Sequence, residues 1–298
     1  MNLQTIHLHA GATTGAEDLV VWLAANRAGL RRAGYGLFCF DVLGTGDDSF
    51  ANALPSDFSD EAASARAVAA LAGRFAPDRK AGSDGFLVSV PDLAGPVAEL
   101  LLGRFHAMAR PRARFLRTAL GQDVERLVLT VQPYEVLFHS VWMAMALDRR
   151  MDPFADYAEA LARFEGGWAD LAATLCEELN VRELVVQTAP AGAAQTLGLM
   201  VPGLALRQPV EPHAKPRVTQ SAVAMAQRLL TQGTRLQPGQ RDRLIAFHAR
   251  QPQVRPDYGF SALALSDLRG RYVADLDTMA RSLGARVVGV PATAIAAE

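Results

Sequence analysis

Apolar and polar positions follow two rhythms along this chain, and the two take turns. Leu3 to His9 alternates with a period of two and predicts a strand. From Glu17 to Arg32 the period is helical: Leu19, Val20, Leu23 and Leu30 share one face, and Gly34 supplies the stop. Tyr35 to Phe40 is an unbroken apolar run, which suits a strand buried on both faces. Asp41 to Asp57 is rich in Gly, Asp and Ser and reads as a loop, and Glu61 to Phe75 as an alanine-rich helix that Ser59 or Asp60 caps. Phe86 to Val90 is a third strand. Ala94 to Leu120 is helical with a break at Pro111. Arg126 to Val131 is the clearest strand of all. Helices follow over Tyr134 to Arg149, Phe154 to Phe164 and Trp168 to Leu179, then a strand over Glu183 to Thr188. Beyond Ala191 the pattern is mainly helical, over Gln220 to Gln232, Gly239 to Arg250 and Leu263 to Leu283.

Strands that alternate with helices predict an α/β fold, a parallel sheet of about five strands with helices on both faces. Residues 1–206 form that core, and residues 207–298 a helical C-terminal part of the same single domain, after a proline-rich stretch from Arg207 to Arg217. A chain of 298 residues can bury a core of this size, and 50% hydrophobic with 20% charged residues is the balance of a soluble globular protein. A net charge of -1 gives no general attraction to nucleic acid or to an anionic membrane. No secretory signal is visible, and no apolar run reaches the roughly 20 residues of a membrane span. The two cysteines, Cys39 and Cys176, form no CxxC pair, so a thiolate metal site and a disulfide framework are both disfavoured. The expected setting is the cytoplasm.

Ligands of open parallel sheets bind beyond the carboxyl ends of the strands. Two segments fall there, the small glycine-flanked loop from Gly11 to Ala16 and Gln132-Pro133. The first has the layout of a strand, a phosphate-type loop and a helix N-terminus. His9-Ala10-Gly11, the Thr14-Gly15 pair and the helix segment Leu23-Ala24-Ala25-Asn26-Arg27-Ala28-Gly29-Leu30 together resemble the opening of bacterial sulfotransferase-like proteins. Further similarity lies at Leu87 to Leu93, at Leu127 to Ser140, and at Phe260 to Leu276 with Leu268, Arg271, Tyr272 and Asp275.

The resemblance implies a P-loop-like sheet and the donor 3′-phosphoadenosine 5′-phosphosulfate. It implies an acceptor hydroxyl on a carbohydrate or small molecule. The donor would be held by Gly11, Thr13, Thr14, Gly15, Gln132 and Ser140, with His9 placed to touch a ligand.

Departures from that family fall on its charged positions. Thr13-Thr14-Gly15 stands where Lys-Thr-Gly is expected, and Ala16 and Glu17 replace two hydroxyl residues. A carboxylate about 4 Å from a bound phosphate would be repelled by about 4 kcal/mol at surface-like dielectric. The same acids suit the first turn of a helix. Gln132 replaces an Arg, Pro91 stands where an acid is expected, and no His occurs within Ser49 to Leu54. The expectation is a divergent sulfotransferase-like protein with sulfuryl transfer weakened or lost. The alternative is a non-catalytic relative used for binding or regulation. No catalytic residue is identified.

Other groups carry less. His7 and His9 share a strand face, with no third metal ligand nearby in the sequence. His9 reads as a packing or supporting residue before a catalytic one. His106, His213 and His248 are isolated and read as packed or surface residues. Arg104, Arg110, Arg112, Arg114 and Arg117 cluster around Pro111, and a solvated face balanced by acids is a simpler reading than an anion site.

Overall fold

The computed structural model describes residues 4–11, 16–40, 49–188, 192–209, 218–252 and 258–289. Among these, the elements are β1 Thr5–Gly11, α1 Ala16–Arg32, β2 Tyr35–Cys39, α2 Phe50–Ala53, α3 Glu61–Lys80 and β3 Gly85–Ser89. A 3-10 helix over Val97–Leu102 follows, then α4 Ala109–Leu120, β4 Arg126–Val131, α5 Tyr134–Ala146, α6 Phe154–Leu161 and α7 Trp168–Leu179. The remainder is β5 Glu183–Thr188, α8 Ala193–Met200, α9 Gln220–Thr231, α10 Pro238–Ala249, α11 Ala262–Ser282 and β6 Arg286–Val288.

The strands form one sheet in the order β2-β3-β1-β4-β5-β6. Every neighbouring pair is parallel. Each face is buried, which is why the strands read as apolar runs. On one face α1 and α8 cover Leu37, Leu87, Val128 and Val185. On the other, α3, α4, α5, α7 and α11 enclose a larger core that holds Phe75, Phe86, Leu129, Val186 and Trp168. A smaller cluster, with Ala146, Leu147, Val223 and Ile245, joins the end of α5 to α9 and α10.

The sheet has six strands where the periodicity predicts about five. β6 is only three residues long and largely exposed, so it has no rhythm to read. It forms because β5 offers an unpaired edge, and Val186 stands opposite Val287. The chain segment expected to be mainly helical thus also contributes to the core sheet.

Pro111 is not a break. It sits in the first turn of α4, where the backbone N–H has no partner within the helix to lose. The interruption lies earlier, at Gly103 and His106, both with positive φ. Similarly α3 runs past Phe75 and Pro77 to Lys80, its last turn held by Arg79, which donates to the Leu120 carbonyl at 2.6 Å. Asp60 caps α3 by accepting from the Ala63 N–H at 2.9 Å. Ser49 caps the one-turn helix α2 inside the segment read as a loop.

Candidate ligand-binding crevice

The order of the strands fixes where a ligand would sit. The connection leaving β1 runs toward β2 at one edge, and that leaving β4 runs toward β5 and the other edge. The two chains part above the carboxyl ends of β1 and β4, and a crevice opens at such a switch point. α1 begins five residues after β1 ends, and α8 five residues after β5 ends. These two helices pack against each other on the same face of the sheet, so both N-termini lie at its carboxyl end.

Beneath them the sheet presents a polar row in an otherwise apolar face. Register places Cys39 opposite Ser89 and Ser89 opposite His9. One step further on, Gly11 is opposite Thr130 and Thr130 opposite Gln187. The His9 ring lies between two hydroxyls, with Nδ1 3.2 Å from Ser89 Oγ and Nε2 3.3 Å from Thr130 Oγ1. Burial lowers its pKa to about 4, so it is neutral near pH 7. Gln187 is fully buried. Its Oε1 accepts from the Thr196 hydroxyl of α8 at 2.8 Å, and its Nε2 has no partner. A buried donor left unpaired in this way is costly.

Gly11 is required where it stands. Its φ is +122, and a Cβ there would fall 2.1 Å from the Thr130 carbonyl oxygen. Only a residue without a side chain lets β1 press this closely on β4 as it turns into the loop. Thr13, Thr14 and Gly15 lie outside the described residues, as does the side chain of Glu17. Gln132 is buried directly after β4, and its carbonyl accepts from Trp168 Nε1–H at 2.9 Å. Ser140 is half-buried six residues into α5, about 9 Å along the helix axis from its start at 1.5 Å per residue. Gly11, His9 and Thr130 are thus brought together, and Gln132 closes the β4 end beside them. Ser140 stands apart on α5.

Comparison with family models, curated proteins and solved structures finds no match to this chain. The crevice has therefore to be read from its own chemistry.

Three features escaped the sequence reading. Gln187 carries no local signal within its strand, and only cross-strand register puts it in line with Gly11. The second is the Asp92–Arg112 pair just past the end of β3. Arg112, buried at 3% exposure, donates from Nε to the Leu93 carbonyl at 2.9 Å and from Nη2 to the Asp92 carbonyl at 2.6 Å. Its Nη2 also lies 3.2 Å from Asp92 Oδ2, and the guanidinium stacks 5.0 Å over Phe50. Desolvation raises the Asp92 pKa, although Arg112 opposes that shift. The third is His106, half-buried, with φ 53 and a solvent-sealed Nδ1. Its only sequence signal was Gly103, three residues before it.

Of the arginines around Pro111, Arg110, Arg114 and Arg117 are ion-paired on the surface, and Arg112 is the buried partner of Asp92. Arg110 pairs with Glu177 at 2.8 Å and also with Glu178; Arg114 reaches Glu178 at 3.0 Å and Arg117 reaches Asp123 at 2.7 Å. Each is neutralised by a carboxylate on α7 or in the turn after α4. His7 shares the face of His9 as expected, and its Nδ1 lies 2.5 Å from the Met200 carbonyl. Among the described residues no group of three or more His, Cys, Asp or Glu could hold a metal ion, and no helix is long and apolar enough to cross a membrane.

Proposed function

We propose that this chain is a divergent sulfotransferase-like protein that keeps an anion-binding crevice at the carboxyl ends of β1 and β4. The observation that carries the reading is an unpaired, fully buried amide donor, Gln187 Nε2, near the carboxyl end of the sheet on the face that α1 and α8 cover. Helix N-termini and a neutral donor suit a phosphate or sulfonate oxygen without any side-chain cation. Gly11 suits the same ligand, because a Cβ there would close the approach to β4. The donor such a crevice fits is 3′-phosphoadenosine 5′-phosphosulfate, which when bound supplies an activated sulfuryl group. Gly11, Thr13, Thr14 and Gly15 would meet its phosphates, and Gln132 and Ser140 its 3′-phosphate.

A second reading has its own support. The row Cys39, Ser89, His9, Thr130 and Gln187 carries no charge near pH 7, and burial holds the Cys39 thiol up at about 12. Sulfuryl transfer depends on electrostatic stabilisation of spreading negative charge. A neutral row binds without stabilising transfer, which is the behaviour of a non-catalytic relative.

Thermal unfolding with 3′-phosphoadenosine 5′-phosphate tests the first point. At a hundredfold excess over its dissociation constant, a ligand adds about 2.7 kcal/mol of stability. For a chain of this size that raises the midpoint by about 4 °C. Gln187→Leu should weaken the response about tenfold in nucleotide concentration, the value of one hydrogen bond to a charged group. No shift at millimolar nucleotide refutes the donor-binding reading. A shift without sulfuryl transfer to any hydroxyl compound selects the non-catalytic one.

A further inference from the structure

Charge is spread unevenly over this chain, and α9 and α10 hold the positive excess. Residues 218–252 carry five arginines and one acid, Asp242, in a chain whose net charge is -1. Elsewhere on the surface arginines meet carboxylates, as Arg27 meets Asp78, Arg126 meets Glu183 and Arg182 meets Glu125. Among the described residues of α9 and α10 only Arg241 does so, 2.8 Å from Asp148 at the end of α5. Arg228, Arg235, Arg243 and Arg250 are exposed without an ion pair among the described residues, as are Arg149 and Arg150 just past α5. Like charges gathered on one unit repel one another, and a polyanion relieves that repulsion.

The unit is fixed to the rest of the fold. Gln227 of α9 accepts from the Met151 N–H at 2.9 Å and donates to the Arg149 carbonyl at 2.7 Å. His248 Nδ1 of α10 lies 3.0 Å from Ser221 Oγ of α9, and Ile245 is buried in the small cluster with Val223 and Leu147. With Ile245 turned inward, the opposite face of α10 presents Gln240, Arg243, Phe247 and Arg250, all exposed. Their spacing of three and four residues aligns them in one stripe. Arg243 and Arg250 stand about 10 Å apart along the axis, at 1.5 Å per residue, with Phe247 between them. Phe247 is 61% exposed and is the only aromatic among the large apolar side chains left so open in the described residues.

We propose that the outer face of α10 is a docking surface for a single-stranded polynucleotide, with Phe247 stacking on a base and Arg243 and Arg250 meeting the phosphates on either side. An aromatic ring set among guanidinium groups is the arrangement that holds single strands without reading their sequence. Arginine suits the role, because its planar fork matches phosphate oxygens. In a duplex the base faces are already stacked on one another and closed to a ring. An anionic membrane fits less well, since an interfacial helix needs a continuous apolar face and this stripe offers one apolar residue. An acidic peptide meets the arginines but gives Phe247 no flat partner. The attraction is local: the chain as a whole has no positive field, and the acids that balance these arginines lie on other elements. The surface is independent of the crevice above β1 and β4.

The test uses the full chain and fluorescence anisotropy of labelled poly-dT and poly-U strands of about 12 nucleotides, a length within the reach of one binding face. The two strands distinguish DNA from RNA as the source, and binding of either supports the proposal. The expected dissociation constant is about 10 μM near physiological salt, with a log–log slope against salt of about -3 for four neutralised phosphates. Phe247→Ala should weaken binding about tenfold, the worth of one stacked base, and Phe247→Tyr should restore it. Arg243→Gln with Arg250→Gln should flatten the salt slope by about 1.4. All three positions are exposed, so the variants should keep the thermal midpoint. Polyglutamate of equal charge and vesicles containing phosphatidylserine serve as the competing polyanions. No binding of either strand up to about 1 mM at low salt would overturn the proposal, as would a Phe247→Ala variant or an arginine double variant that binds as the parent does. Polyglutamate or vesicles that bind as tightly as the strands would also overturn it, and so would displacement of the strand by 3′-phosphoadenosine 5′-phosphate, which would place the binding in the crevice.

Discussion

Acid should unfold this protein through its buried imidazoles before its carboxylates titrate, and His9 allows the effect to be measured. His9 is 3% exposed, and its pKa falls from 6.5 to about 4 because burial removes the solvation of the imidazolium. The depressed group is a base, so the unfolded chain takes the proton first as pH falls. Stability from His9 is therefore complete above about pH 6.5, declines below it, and is exhausted near pH 4. The loss by pH 5 is about 2 kcal/mol. His106, also lowered to about 4, contributes a similar amount, and His7 acts in the same direction. Together they remove about 4 kcal/mol from a total that for ordinary domains is about 5–15 kcal/mol. Urea unfolding at several pH values from 7.5 to 5.0 reads this slope while most carboxylates remain ionised. His9→Gln keeps a polar group between Ser89 and Thr130 but cannot titrate. It should cost about 1 kcal/mol at pH 7.5 and recover about half of the acid slope. An unchanged slope in that variant, or an imidazole signal of His9 that titrates near 6.5, would refute the reasoning.

Two further substitutions probe the walls of the site. Gly11→Ala forces a side chain into a backbone carbonyl at a φ of +122, and strain plus overpacking should cost about 3–5 kcal/mol, seen as a fall in the thermal midpoint of about 5–8 °C; a loss under 1 kcal/mol would mean that β1 and β4 can part freely. Arg112→Ala leaves the half-buried Asp92 carboxylate without its cation and removes the bonds to the Asp92 and Leu93 carbonyls, and should cost about 2–4 kcal/mol. Arg112→Met combined with Asp92→Asn should cost less than Arg112→Ala alone, and a double-mutant cycle by urea unfolding measures the difference.

The strands and most helices were legible because their signal is local. Arg126–Val131, Trp168–Leu179 and Glu183–Thr188 have the bounds that periodicity predicts. Each element is buried on faces that its own sequence encodes. Where local signals misled, a non-local partner had decided. Pro111 looks like a breaker to its neighbours, yet it costs a helix nothing in the first turn. β6 has too few residues to announce itself and takes its conformation from β5. The arginines of α4 form a basic stretch in sequence and an ion-paired surface in space, because α7 brings Glu177 and Glu178 against them.

The crevice divides in the same way. Gly11, His9 and Gln132 could be marked as strand-end residues from the order of strands and helices. That Gln187 shares their row could not, because it depends on Thr130 standing opposite both Gly11 and Gln187. Nor could a sequence show that His106 and Gly11, 95 positions apart, wall the same small cavity.

The sequence by itself determined which segments become strands and helices, and that loops end at the carboxyl edge of a parallel sheet, since both follow from backbone propensity and the period of apolar side chains. Tertiary structure alone decided the protonation and pairing of the groups at that edge. Solvation, charge pairing and hydrogen bonding depend on which atoms are neighbours in space, and here those neighbours come from β1, β3, β4, β5, α4 and α7 at once.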